Sequence, residues 1–299
     1  MGMGFRACGR DQGFPVTLDL RRQPRVDVSL ENGRNEDMKR HLKIAFRYFK
    51  VNLASAMEYR SSFLMQAFGM AISNATFVFF WWVAFSQVGG RIGGYDFKDV
   101  MFIWALCSTA FGLSHVLFAN ADHLTRLIVT GELDTFLLQP CNLLLNMCCA
   151  RTSLSAYGDV LYGVVLMALT QGGDGAAWLF FGLGVPVGAL LITAIGLTAH
   201  TLTFYFGDAS FAGGMSQEFV VNFCIYPEGI YHNAVRALMF TLIPAAFIVH
   251  VPLRLARGFT LGWLLVWLAA SAAYCSFAVW FFYRGLRRYE SGNLIITRL

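Results

Sequence analysis

Charge is scarce in this chain. Lys, Arg, Asp and Glu together make up 14% of its 299 residues, and only four of these are lysines, at 39, 43, 50 and 98. Those lysines are followed by Arg, Ile, Val and Asp, so no Gly-x-x-x-x-Gly-Lys-Ser/Thr loop exists to cradle nucleotide phosphates. Seven cysteines (8, 107, 141, 148, 149, 224 and 275) include no Cys-x-x-Cys spacing, and most sit in apolar runs, which leaves neither a zinc site nor a disulfide framework. The six histidines (41, 115, 123, 200, 232 and 250) form no His-Glu-x-x-His, and each reads as a packing or interface residue. Gly-x-Ser-x-Gly is absent, so serine-hydrolase chemistry has no support.

What is abundant is apolar. The chain is 57% hydrophobic, with 28 Phe and 7 Trp and a mean hydropathy of +0.54, which places it outside the range of soluble domains. The expected class is an all-α integral membrane protein, in which helices satisfy their own backbone groups inside lipid.

Residues 1–37 are different. Six Arg balance six acids among scattered Gly and Pro, with no apolar periodicity, so this stretch reads as a disordered cytoplasmic tail. It has no apolar core of the kind a signal peptide needs, and Met38 is a candidate start. From 38 to 60 the pattern turns helical. Leu42, Ala45, Phe46, Phe49, Leu53 and Met57 fall on one face, and Lys39, Lys43, Arg47 and Lys50 form a stripe on the other. With Arg40 and Arg60 against Glu58, this segment carries the whole of the chain's net charge of +5. It reads as an interfacial helix on an anionic leaflet, with the N-terminus in the cytoplasm and membrane lipid as its partner. Because the basic stripe faces a membrane, no nucleic-acid role is expected.

The transmembrane region, 61–284, reads as six spans. The first runs from Ser61 to Phe85 and ends near Trp81-Trp82, an aromatic belt; the second, Val100 to Ala119, returns. Between it and a third helix over about 142–170 lies the polar stretch 120–140, NADHLTRLIVTGELDTFLLQP, with Asp122, Arg126, Glu132 and Asp134. Those charges keep it out of the bilayer, on the cytoplasmic side. In the third helix Arg151, Ser155 and Asp159 share an i, i+4 ladder. Asp159 is a pathway candidate or one half of an interhelical pair. The fourth span, 178–206, holds Gly184-Val-Pro-Val-Gly188, a spacing that suits close helix packing and a dimer face equally.

In 207–255, Asp208, Gln217 and Glu218 interrupt the apolar run, and Tyr226-Pro227, Pro244 and Pro252 break it into pieces. Either 209–226 is the fifth span with a re-entrant hairpin after it, or 234–251 spans. Both give broken helices before a last span, 260–283, that closes on Arg284, Arg287 and Arg288. These arginines place the C-terminal tail, 285–299, in the cytoplasm.

Three segments carry a family likeness. GELDTFLLQPCN at 131–142, the series Tyr226, Pro227, Arg236, Pro244, Pro252, and FYRGLRRYESG at 282–292 resemble the ABC-2 type permeases, membrane subunits of ATP-binding-cassette exporters. The likeness covers about 38–292 and resembles most a small six-span bacterial group. It implies a coupling helix within 120–140 that docks on a separate ATPase through Asp122, Arg126, Gly131, Glu132, Leu133, Asp134, Leu137, Leu138, Gln139 and Pro140. It also implies a second permease subunit, identical or different, an inner-membrane location, and ATP and Mg²⁺ held by the ATPase rather than by this chain. Glu218, Tyr226, Pro227, Arg236 and Pro244 join Asp159 as pathway candidates. Apolar, Phe-rich walls suggest an amphipathic, drug-like or lipid-like cargo. The rival expectation is an ion-coupled secondary transporter using Asp159 and Glu218.

Overall fold

In the computed structural model of the protein, residues 46–290 are described, except 56, 59, 141 and 242. The tail 1–37, the candidate start Met38, Lys39 and Lys43 of the basic stripe, and residues 291–299 lie outside the described residues. Everything described is helix and connecting turn apart from one isolated bridge between Ile92 and Tyr95.

Helix α1 covers residues 46–55. Its Arg47 and Lys50 are exposed, Tyr48 and Phe49 are half-buried, and the Lys50 ammonium lies 4.9 Å from the centre of the Phe46 ring. Helix α2 (Arg60–Val88) follows, and after a glycine-rich turn α3 (Phe97–Phe118) returns. Asp96 caps α3 in a reciprocal box with Asp99. Helix α3 is the axis of the molecule: every residue from Val100 to Ala110 is buried, and α7 (Ala156–Gln171), α8 (Gly175–Thr201) and α10 (Ser210–Ile225) pack around it. Helix α14 (Leu261–Leu286) and α2 lie at the periphery with most of their apolar side chains uncovered.

The packing is made by small residues. A Cβ added at Gly112 of α3 would come within 2.7 Å of the Ala156 carbonyl, and one at Gly158 of α7 within 2.6 Å of the Ala67 carbonyl of α2. The GxxxG spacing of α8 serves the same purpose. A Cβ at Gly188 would stand 2.9 Å from Ala110 Cβ, and one at Gly184 3.0 Å from a Leu106 methyl. Both glycines face the interior, so in this chain the spacing builds the helix core.

Four helices are long and apolar enough to cross a membrane among the described residues: α2, α3 with its extension to Val129, α8 with its extension to Phe206, and α14. The expected third helix over 142–170 is two helices, α6 (Leu143–Cys149) and α7, with residues 150–155 non-helical or bent between them. The cause is tertiary. Thr152 Oγ1 donates to the Val116 carbonyl at 3.0 Å and Ser153 N to the His115 carbonyl at 3.0 Å, so this link bonds to the end of α3 instead of to itself. Arg151 is therefore off the expected ladder with Ser155 and Asp159. Helices α7 and α10 have 16 residues each, or about 24 Å at 1.5 Å per residue, against a hydrocarbon core of about 30 Å.

The prolines act where expected. Tyr226, before Pro227, is extended and ends α10, and the chain then forms α11 (Asn233–Phe240), α12 (Ala245–Ile248) and α13 (His250–Arg257). Pro244 stands at the start of α12, so 234–251 is not one continuous helix. Pro252 falls in the first turn of α13, where its missing N–H leaves no bond unmade.

This hairpin is clasped to the α2–α3 turn. Arg257 forms a two-pronged pair with Asp99, its Nε at 2.7 Å from Oδ1, and lies 4.6 Å from the Tyr95 ring centre. Three residues earlier, Arg254 pairs with Glu228 at 3.0 Å and lies 4.3 Å from the Trp263 ring. At Gly93, with φ +59°, the turn passes so close that a Cβ on Gly229 would stand 2.1 Å from the Gly93 carbonyl. Asp99→Ala is expected to lower stability by about 2 kcal/mol, between the values for exposed and buried pairs. The swap Asp99→Arg/Arg257→Asp should recover over half of that loss, read as thermal unfolding of the purified protein in detergent.

Candidate functional site

The polar stretch 120–140 folds as a short platform. A 3₁₀ turn, Ala119–His123, leads into α4 (Leu124–Val129); Gly131, with φ +74°, reverses the chain, and α5 (Leu133–Leu137) follows. A residue with a Cβ is disfavoured at that φ. The apolar side of the platform, with Ala121, Leu124, Leu127, Ile128 and Leu133, packs on Met147 of α6, Leu197 of α8 and Phe282 of α14. The platform therefore shares one buried apolar cluster with three helices.

The predicted docking residues separate into two groups. Arg126 and Glu132 pair at 3.2 Å with about half of each side chain exposed, Leu137 is 44% exposed and Leu138 86%. Gln139 and Pro140 are exposed beside them, with Asp134 partly so. Leu133, by contrast, is fully buried, and Asp122 turns inward. The Asp122 carboxylate accepts from Gln217 of α10 at 2.9 Å and meets His115 Nε2 at 3.0 Å. On its other side the His115 ring is held through Nδ1, which lies 2.8 Å from the Phe111 carbonyl and 2.9 Å from Ser114 Oγ.

Two further polar groups tie the platform down, and sequence reading missed both. Thr125 Oγ1 lies 2.8 Å from His200 Nδ1 and 2.7 Å from Thr203 Oγ1, joining α4 to α8 and α9 (Thr203–Phe206). Asn146 of α6 accepts from Tyr48 of α1 and donates to Gln139 Oε1 at 2.6 Å. The partners are 75 to 98 positions apart in the two long-range cases, and only the 7-residue spacing of His115 and Asp122, two helical turns, is a signal the sequence carries.

The pathway candidates do not converge. Asp159 is buried and bonds to Asn74 of α2, whereas Glu218 is exposed on α10, and no hydrogen bond joins them. Tyr226, Pro227 and Pro244 shape the hairpin, and Arg236 donates to the Glu228 carbonyl at 3.3 Å. A paired-site secondary transporter is thus not favoured. Among the described residues no cluster of His, Cys, Asp and Glu could hold a metal ion.

A family model described as ABC-2 family transporter protein matches residues 71–292. The chain belongs to the ABC-2 transporter family. The match begins inside α2 and takes in the platform, the hairpin and the closing segment at 282–292, so all three motifs lie within it. As an ABC-2 permease the chain is an integral membrane component of an ABC transporter. Residues 1–70, with the basic stripe, precede the matched region. Comparison with curated proteins and with solved structures finds no match.

Proposed function

We propose that this permease is the transmembrane subunit of an ATP-driven exporter in a bacterial inner membrane, docking on a separate ATPase through the platform 120–140. The observation that carries this is the platform's construction: an exposed ridge of Arg126, Glu132, Leu137 and Leu138 on a base buried against α6, α8 and α14. Such a ridge stands proud of lipid, and a push on it reaches three helices with little slack, because packed interfaces do not deform continuously. The link from Asp122 to His115 and Gln217 carries the push to α3 and α10. Asp122 and Leu133 thus hold the lever, and the exposed residues meet the partner.

The remaining elements fit the same orientation. Arg47 and Lys50 of α1 would rest on anionic headgroups at the cytoplasmic face, with Arg284, Arg287 and Arg288 at the same level, so both termini are inside. The Arg254/Arg257 clasp then closes the outer end. Helices α7 and α10, covered by α3 and α8, complete six spans, and a second permease, identical or different, would line the pathway with this one. ATP and Mg²⁺ belong to the ATPase partner.

The test is co-purification. Tagged protein is extracted from membranes in mild detergent, and its companions are identified by mass spectrometry, beside a Glu132→Lys/Asp134→Lys variant. A P-loop ATPase recovered with the wild type and reduced at least tenfold with the variant is the expected result. Failure to recover any ATPase, where other membrane complexes survive extraction, would remove the motor from the proposal.

A further inference from the structure

A polar pocket lies between the platform, α8 and α10. Its volume is about 300 Å³, at the lower end of the range for small-molecule sites. Asp122, His123 and Arg126 line it from the platform, His200 from α8, and Gly213 and Gly214 from α10. His200 has a bond still to make there. The residue is only 6% exposed, its Nδ1 is held by Thr125 Oγ1 at 2.8 Å, and its Nε2 has no hydrogen bond among the described residues. The ring lies against Gly213, where a Cβ would stand 2.3 Å from Nε2, so that nitrogen sits at the wall shared by α8 and α10.

The pocket holds opposite charges that do not meet. Asp122 keeps 24% of its side chain exposed and Arg126 50%, yet Asp122 pairs with His115 and Arg126 with Glu132 rather than with each other. A simple anion in this space would face the Asp122 carboxylate, and a simple cation would face the Arg126 guanidinium. A ligand carrying both charges suits both walls: an ammonium donates to the carboxylate, and a phosphate accepts from the guanidinium. The surroundings point to lipid as its source. Ser210, another lining residue, is followed by Phe211 and preceded four positions earlier by Phe206, and each of these rings is 81% exposed. Large apolar side chains left bare beside a polar pocket mark contact with a membrane.

We infer that this pocket binds the zwitterionic headgroup of an aminophospholipid, with its ammonium at Asp122 and His200, its phosphate at Arg126, and its acyl chains beside Phe206 and Phe211. The leaflet, the cytoplasmic one, rests on the exporter reading; the binding itself does not. Free phosphoethanolamine has the same headgroup chemistry but makes no use of the two bare rings.

The test titrates the full chain in detergent with three dioleoyl lipids, phosphatidylethanolamine, phosphatidylcholine and phosphatidylglycerol, and reads the bound lipid by native mass spectrometry. The choline headgroup has no N–H to donate, and the glycerol headgroup has no ammonium. Phosphatidylethanolamine is expected to bind at least fivefold tighter than either. Gly214→Leu should weaken it at least fivefold without lowering the thermal midpoint of the lipid-free protein, because Gly214 lines the pocket and nothing lies within 4 Å of its Cβ position. Asp122→Asn should erase the preference for phosphatidylethanolamine over phosphatidylglycerol, since Arg126 still holds a phosphate when the carboxylate is gone. Equal binding of the three lipids, or a Gly214→Leu variant that binds like wild type, would overturn the inference. So would free phosphoethanolamine binding as tightly as the lipid. If Asp122→Asn fails to fold, Gly214→Leu decides in its place. Because no ATPase is present, loss of the ATPase from co-purification and loss of lipid binding are separate outcomes.

Discussion

Gly163→Leu is expected to abolish the folded protein. Gly163 sits where α7 crosses α3, and a Cβ there would come within 2.1 Å of Thr109 Oγ1 and 2.6 Å of the Ala105 carbonyl. Thr109 cannot swing clear without losing its own bond to that carbonyl, at 2.7 Å, and the Ala105 carbonyl belongs to a buried helix. The helices must therefore separate. Overpacking by a few methylenes usually costs about 1–3 kcal/mol, and this site, with backbone on the far side, belongs at or beyond about 3 kcal/mol. Separation also undoes the neighbouring contacts at Gly112 and Gly158, which hold α3, α7 and α2 within backbone distance. Gly182→Leu on α8 is the matched control, because nothing lies within 4 Å of its Cβ position. Monodisperse yield after detergent extraction, with the thermal midpoint of what survives, separates the two. Equal behaviour of both variants would mean that α3 and α7 do not pack this closely.

Much of this architecture is legible in the residues, for identifiable reasons. Proline announces its effect locally, so Pro227, Pro244 and Pro252 mark the broken region in any reading of the chain. The closing segment is similar: Gly285 admits Phe204, whose ring atom would stand 2.6 Å from a Cβ there, and Arg288 lies 4.6 Å from the Tyr205 ring centre. The break at 150–155 has no such mark. No proline lies between 142 and 158, and the cause is hydrogen bonding to the end of α3, a partner more than 30 positions away. The same holds for the clasp, whose Asp99 and Arg257 are 158 positions apart. Charge alone separates membrane from water. It does not say which charges on a short polar stretch face a partner, and there the platform's acids divide.

Asp122 makes that division measurable. Asp122→Ala is expected to destabilise the permease itself by about 3 kcal/mol, whereas Glu132→Ala, at an exposed pair, should cost less than about 1 kcal/mol. The difference follows from what each leaves behind. Removing Glu132 returns Arg126 to water, since both are about half exposed. Removal of Asp122 strands His115 Nε2 and Gln217 Nε2 in a region where their side chains have little water, and the Gln217 oxygen is already buried without a partner. No larger side chain can move in from α8 to help. Gly196 lies against the pair, and a Cβ on it would come within 2.7 Å of both Asp122 Oδ1 and Gln217 Nε2. Thermal unfolding of the purified chain should place Asp122→Ala well below wild type and Glu132→Ala beside it, while co-purification of the ATPase should show the reverse order per molecule of folded protein. If Asp122→Ala unfolds like wild type yet loses the ATPase, Asp122 faces the partner, and the platform's link to α3 and α10 has to be sought elsewhere.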